Sequence, residues 1–316
     1  MAKAKYLVIS PCRNEAEYMR RTLDSMVAQT VPPDLWVIVD DGSTDQTPAI
    51  LAEYAEQHDF IKVVRKENRG HRSVGPGVIE AFYVGYRAVH ADEFDYICKL
   101  DLDLELPPRY FEILIQRMTE NPRIGTCSGK PYFLDKKSGT LVSEKCGDEN
   151  SVGMTKLFRK QCFDQIGGFV QQVMWDAIDG HRCRMLGWLA VSWDEPELRF
   201  VHLRPMGSSQ QNMLTGRMRH GFGQYFMGTG LAYMTASALY RMTRPPYLVG
   251  GAAMWWGYVK SMLTGQERLT DSAFRMFLRR YQWSCLWRGK KAATARLNDQ
   301  QADSWVCDSG RWGTDE

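Results

Sequence analysis

The chain has 316 residues, 44% hydrophobic and 24% charged, with a formal net charge of +3, which is ordinary globular make-up and enough length for one large α/β domain with additions or for two smaller domains. The opening "MAKAKYLVIS" passes straight into an apolar run without the long apolar segment and cleavage site of a secretory signal, which predicts a cytoplasmic protein. Eight cysteines stand singly with no C-x-x-C pair, which argues against a disulfide framework and against a zinc cluster.

The predicted elements alternate. "KYLVIS" (5–10) reads as a strand, and 15–29 as a helix with Met19, Leu23, Met26 and Val27 on one stripe. "LWVIVD" (35–40) is a second strand, followed by a helix over 47–58 that Thr47 can cap, with Pro48 in its first turn. "IKVV" (61–64) is a third, before a Gly-rich loop and a helix over 78–91. A fourth strand, 95–103, ends in "CKLDLDLELPP", and a helix follows over 107–118. Strands separated by helices predict an α/β protein with a doubly wound, mostly parallel sheet flanked by helices. Ligands in such sheets lie beyond the carboxyl ends of the strands, where "PCRNE", "DDGSTD" and "ENRG" all fall.

Each polar motif has a structural and a chemical reading. Asp40 and Asp41 suit a turn and a helix cap, or hydrogen bonds to a base N–H and ribose hydroxyls. "GPGVIEAF" has Glu80 where a dinucleotide fingerprint needs its third glycine, so NAD binding is rejected. Arg69, His71 and Arg72 make the neighbouring loop basic, as a solvated loop or as a diphosphate site. In 98–108, Asp101, Asp103 and Glu105 share one face of the expected strand, and the one nearby cation, Lys99, is assigned to the other face. That leaves Asp101 and Asp103 to hold one hard divalent cation, with Glu105 unassigned. Asp176 stands at a helix start after a Gly-Gly turn, as an N-cap paired with Asp179 or as a general base. His202 ends an apolar strand, structural or ligating.

From Arg217 to Lys291 there are twelve Lys/Arg against Glu267 and Asp271, a local charge of +10 that leaves about −7 for the rest. This stretch holds two apolar segments, 225–240 and 247–259, each short of the ~20 residues that cross a bilayer. In 274–287, Phe274, Phe277, Leu278, Tyr281 and Cys285 repeat at helical spacing among arginines. Tryptophan-bearing helices with basic flanks suit an anionic membrane surface; a packed helical cap and a dimer face are the other readings. Nothing points to nucleic acid.

In order, "SPCRNE", "VDDGSTD", "ENRG", "KLDLDLELPP", "IGGF" and "WDAIDGHRCRMLGW" resemble the family 2 glycosyltransferases of GT-A fold, over roughly residues 5–205. The resemblance implies an inverting transfer of a sugar from a nucleotide sugar, expected to be UDP-linked, to an acceptor hydroxyl. The acceptor is expected to be a saccharide, lipid-linked, in polysaccharide or glycolipid synthesis. It implies nucleotide-sugar contacts from Pro11, Arg13, Glu15, Asp40, Asp41, Asn68, Arg69, Arg72, Asp101 and Trp175. It also implies Mn2+ or Mg2+ on Asp101, Asp103 and His202, and a catalytic base at Asp176 with Asp179 as fallback. The Glu-Asp pair common in the family is Trp175-Asp176 here, so its glutamate is missing. A nucleotidyltransferase and a non-catalytic sugar-binding module stay open, separable by pyrophosphate release and by the absence of transfer. The expected organisation is a transferase domain at 1–210, a basic apolar helical annex at 211–295, membrane-associated and peripheral on the inner face of the cell membrane, and a tail at 296–316. Oligomeric state is not legible.

Overall fold

The structure is a computed structural model that describes residues 4–68, 70, 75–135, 138–204, 213–303 and 305. The first half alternates as expected: β1 (Tyr6–Cys12), α1 (Met19–Val27), β2 (Leu35–Asp40), α2 (Thr47–Gln57), β3 (Ile61–Arg65), α3 (Pro76–Arg87) and β4 (Tyr96–Leu100). There follow β5 (Leu104–Glu105), α4 (Tyr110–Glu120), β6 (Ile124–Ser128), β7 (Lys130–Leu134), β8 (Leu141–Ser143), β9 (Thr155–Arg159) and α5 (Lys160–Gln165). Then come α6 (Trp175–Met185), β10 (Leu189–Ser192) and β11 (Arg199–His202). Five helices end the chain: α7 (Met213–Met227), α8 (Leu231–Met242), α9 (Val249–Leu263), α10 (Ser272–Arg288) and α11 (Lys290–Ala302).

Seven strands form the main sheet in the order β10-β6-β9-β4-β1-β2-β3. All its pairings are parallel except those of β9, which runs antiparallel to both β4 and β6. The strands read as unbroken apolar runs because both faces are covered. Tyr6, Val8, Trp36 and Ile38 pack with Leu23, Met26 and Phe111 on one side. Leu7, Ile9, Val37 and Val39 alternate onto the other, against Ile79, Phe82 and Phe163. A second, four-stranded sheet, β5-β11-β7-β8, is absent from the sequence reading, since β5 has only two residues and β8 three.

Three local expectations need correction. The first helix begins at Met19 rather than at 15, because the chain before it belongs to a loop web in which Glu15 N–H donates to Thr47 Oγ1 at 2.9 Å. That bond takes Thr47 away from helix capping; Asp45 Oδ1 instead accepts from Thr47 N–H at 2.9 Å. The strand expected over 95–103 stops at Leu100, and the chain bends at 101–103 before entering the second sheet.

The C-terminal helices pack on one another and on the body. A Cβ on Gly221 of α7 would meet the Met254 carbonyl of α9, and one on Gly257 of α9 would meet the Met218 carbonyl of α7, so small residues on both sides let these two backbones touch. The apolar segment 225–240 is split between α7 and α8. α11 runs across the expected boundary at 295/296 and ties back to the body, with Arg123 Nη2 donating to Asn298 O at 2.7 Å and Gln301 Nε2 to Arg184 O at 2.9 Å. Among the described residues no helix is long and apolar enough to cross a membrane.

Candidate active site

The loops after β1 and β2 form one hydrogen-bonded unit because β1 and β2 end in register, Cys12 opposite Asp40. Ser43 Oγ accepts from Asn14 N–H at 2.9 Å, and Asn14 Oδ1 accepts from Thr44 N–H at 2.8 Å. The two aspartates divide the work. Asp40 is buried, and its Oδ1 accepts from Ser43 N–H at 2.8 Å, so it shapes the turn and does not line the cavity. Asp41 does line the cavity, with Lys66 Nζ 3.1 Å from its Oδ1. Arg13 reaches over this turn, donating to Asp41 O and, at 2.6 Å, to Asn68 Oδ1. Pro11, Arg13 and Glu15 line the same cavity as Asp41, whereas Asn68 faces a separate shallow cleft. Arg69, His71 and Arg72 lie outside the described residues.

The D-x-D segment sits at the bend after β4. Lys99 has the same strand parity as Asp101, not the opposite one, and its buried Nζ donates to Asp101 Oδ1 and to Gly153 O. Burial pushes the Asp101 carboxyl up and Lys99 opposes it. Pairing of β5 with β11 then sets Leu104 opposite His202, and Leu203 N–H donates to Asp103 O at 2.8 Å. Residues a hundred positions apart in sequence thereby meet. Arg204 grips Asp103 Oδ2 through Nε (3.1 Å) and Nη2 (2.8 Å) and Glu15 Oε2 through Nη2 (2.7 Å), while His202 Nε2 stands 3.7 Å from Asp103 Oδ2. Burial raises Asp103, but His202 and Arg204 outweigh it and hold its carboxyl down at about 2. Burial lowers His202, but Asp103 and Glu144, the latter 3.1 Å from Nδ1, hold it up at about 9. Glu105 points elsewhere, to a surface pair with Arg21.

As donors, two carboxylates and an imidazole whose Nδ1 is braced by a carboxylate fit a hard divalent cation. They are not gathered as a cluster: among the described residues no three His, Cys, Asp or Glu side chains converge as ligands. Lys99, Arg204 and the His202 proton hold the positive charge that an incoming cation would take over.

α6 carries the third element. Asp176 is in its first turn rather than at the N-cap, which Met174 occupies with φ +65°. The capping-box pair with Asp179 does not form, because Asp179 turns inward onto Lys156, and both are fully buried. Burial lifts Asp179 to about 7 against the pull of Lys156. Lys156 Nζ also donates to Asp176 O at 2.6 Å, pinning the turn. The Trp175 ring has Lys99 Nζ and Lys156 Nζ at 5.2 and 5.8 Å from its centroid, separating the two ammoniums while its edge lines the cavity.

These pieces enclose a cavity of about 780 Å3, within the size range of small-molecule sites. Five acids line it: Glu15, Asp41, Asp101, Asp103 and Asp176. The first four are paired with Arg204, Lys66, Lys99 and Arg204 respectively. Asp176 is exposed to the cavity, and its carboxylate has no hydrogen bond or ion pair among the described residues. Asp179 does not reach the cavity. Sequence reasoning passes over Arg204, Lys156 and Glu144. Arg204 had a signal, being two residues beyond His202 and so on the same face of an extended chain; Lys156 and Glu144 had none.

The sequence profile of glycosyl transferase family 2 matches residues 7–172, just over half of the chain. The poly-beta-1,6-N-acetyl-D-glucosamine synthase of Staphylococcus epidermidis is 30% identical over 128 residues, covering 40% of this chain and 28% of that protein. The synthase of Staphylococcus aureus strain COL is 29% identical over the same shares. The matched region thus spans little more than a quarter of these curated relatives. Among solved structures, the mannosyltransferase PcManGT from Pyrobaculum calidifontis, in complex with GDP-Man and Mn2+, superposes with a TM-score of 0.52 at 18% identity over 97% of this chain and 88% of that one. GalNAc-T7 with UDP, GalNAc and Mn2+ superposes at 0.56 and 14% identity over 90% and 58%. S. aureus TarS 1–349 with UDP-GlcNAc does so at 0.50 and 11% over 96% and 93%. At these identities the likeness shows the fold, an α/β GT-A type with a C-terminal helical region. By its sequence profile and its fold, the chain belongs to glycosyl transferase family 2.

Proposed function

We propose that the chain transfers a sugar from a UDP-linked nucleotide sugar to an acceptor hydroxyl with inversion, and that Asp176 is the general base. The observation that carries this reading is the one acid in the cavity left without a partner among the described residues, Asp176, held at the rim by the Lys156 bond to its own backbone carbonyl. An unpaired carboxylate facing a cleft is able to accept a proton, whereas Asp41, Asp101 and Asp103 are committed to cations.

In this reading the β1 and β2 loops hold the nucleoside. Asp41 accepts from base or ribose donors, Arg13 and Glu15 close that end, and Pro11 packs beside them. Asp101, Asp103 and His202 would hold Mn2+ or Mg2+, which when bound neutralises charge on the departing diphosphate. Arg204, which holds Asp103 here, lines the same cavity and would supply positive charge to that diphosphate. Asp176 takes the hydroxyl proton as the acceptor oxygen attacks the anomeric carbon from the face opposite the leaving group. One displacement of this kind inverts the centre.

The relatives support UDP-GlcNAc as the first donor to try: the matched synthases are named for N-acetylglucosamine, and TarS is seen with UDP-GlcNAc. A saccharide acceptor, lipid-linked, in polysaccharide or glycolipid synthesis fits the same names. Peripheral attachment to an anionic membrane, on the cytoplasmic face, is part of this proposal, and the helices α7 to α10 support the attachment. Leu248, Leu263 and Trp287 are 69%, 72% and 82% exposed among cations without acidic partners. The test is a thermal-shift panel of UDP-GlcNAc, UDP-GalNAc and GDP-mannose with Mn2+, followed by release of nucleotide with a saccharide acceptor. Stabilisation by a UDP-linked donor and metal-dependent release support the reading, and stabilisation by GDP-mannose alone overturns its UDP part. No stabilisation by any donor, or release that D176N leaves unchanged, overturns it.

A further inference from the structure

The cavity is also lined by the loop at 144–154 and by the helices α7 and α11, and the charged residues these elements bring to it are basic. They are Lys145, Arg219 and Lys290, with the side chain of His220 beside them. Lys290 is answered by Glu149 at 3.2 Å. Arg219 is half-buried, and neither it nor Lys145 has a hydrogen bond from its side chain or an ion pair among the described residues. Burial, with no acid to offset it, lowers the Arg219 guanidinium. His220 is held down by burial and by Arg217, so it adds a neutral ring rather than a charge. A desolvated guanidinium without a counter-charge is costly to keep. At the nucleotide end, by contrast, Lys99 and Arg204 already hold acids, and Arg13 is tied to the Asp41 carbonyl and to Asn68.

We propose that this end of the cavity binds a phosphate group carried by the acceptor, with Arg219 and Lys145 as its ligands, so that the acceptor is a phosphate ester of a saccharide or polyol. A guanidinium offers phosphate two parallel N–H bonds, and an ammonium adds a point charge. The anion site rests on these two cations lining one cavity without a partner among the described residues; its assignment to the acceptor rests on the transfer reading above.

The test uses the full chain saturated with UDP and Mg2+, which is diamagnetic, and titrates inorganic phosphate at constant ionic strength by 31P line broadening. R219Q is expected to weaken phosphate binding at least tenfold and K145Q about threefold. D41N is expected to weaken UDP binding while leaving phosphate binding unchanged. R219K, which keeps the charge, is expected to recover part of the loss, and circular dichroism reports whether each variant is folded. Phosphate binding that R219Q leaves unchanged, or that UDP displaces one for one, overturns the site. If UDP fails to bind while R219Q still abolishes phosphate binding, the transfer reading falls and the anion site survives. A parallel arm measures phosphatidylglycerol vesicles. R219Q binding them like the wild type supports an acceptor phosphate, whereas loss of vesicle binding reassigns the site to a lipid headgroup and overturns the acceptor assignment.

Discussion

The two ends of the cavity handle charge in opposite ways. At the nucleotide end almost every acid has a cation of the chain's own: Asp41 has Lys66, Asp101 has Lys99, and Asp103 and Glu15 share Arg204. Elsewhere in the lining Lys290 holds Glu149, but three charged groups have no partner among the described residues: the carboxylate of Asp176, Arg219 and Lys145. Paired groups fix the architecture before any ligand arrives, and unpaired ones have their interaction free energy still to gain from a substrate. The comparison therefore separates residues whose loss costs folding from residues whose loss costs chemistry, and it can be broken residue by residue.

The largest effect is expected at the unpaired acid. D176N should lower transfer by about 10²-fold to 10⁴-fold, as loss of a general base does, with donor affinity and melting temperature nearly unchanged. A variant that melts well below the wild type would show that Asp176 belongs with the paired group. Next comes K156M, at the other extreme. Lys156 and Asp179 are both buried, so removing one partner should cost about 3–5 kcal/mol in chemical denaturation. G42A follows at about 1–3 kcal/mol, because Gly42 sits at φ +72° and a Cβ there would strike the Asn68 backbone.

How much of this was legible in the sequence depends on range. The strand–helix alternation is local, so apolar runs such as 35–40 and stripes such as Met19, Leu23 and Met26 locate the elements by themselves. The cavity acids were legible too, because Asp41, Asp101, Asp103 and Asp176 lie at strand or helix ends where ligands collect. Their partners were not. Arg204 shares a face with His202, but its contact with Asp103 depends on the pairing of a two-residue strand with β11; Lys156 of β9 reaches Asp179 of α6, a contact that leaves no periodic trace. The bend after Leu100 was missed for a related reason: the apolar-acid alternation continues through 101–105 although the backbone has left the strand.

A smaller effect tests the buried pair through pH. Burial raises Asp179 from the usual carboxylate range to about 7. Between about pH 4 and 7 the unfolded chain has therefore released this proton while the folded chain keeps it, so this group's contribution to stability falls as pH rises and levels off above 7. D179N carries no such proton. The melting temperature of the wild type relative to D179N should therefore decline from pH 4 to 7 and then stay flat. A difference independent of pH would mean that Lys156 holds Asp179 ionised throughout.

The smallest effect on the fold is expected where the surface is most apolar. Trp283 and Trp287 of α10 are 53% and 82% exposed, and nearby Arg279, Arg280 and Arg288 have no acid partner among the described residues. Replacing both tryptophans by alanine removes little packing and should change stability by no more than about 0.5 kcal/mol. If these rings serve a membrane, the same change should weaken co-sedimentation with phosphatidylglycerol vesicles severalfold while leaving Arg219-dependent phosphate binding intact, since α10 does not line the cavity. Raised salt should weaken the attachment of both forms, because the arginines act through a screened field, but should leave the tryptophan contribution in place. Unchanged sedimentation with a shift from dimer to monomer would instead give this face to a second copy of the chain. In either case the unpaired groups of the helical region, like Asp176, would be the ones that act on another molecule.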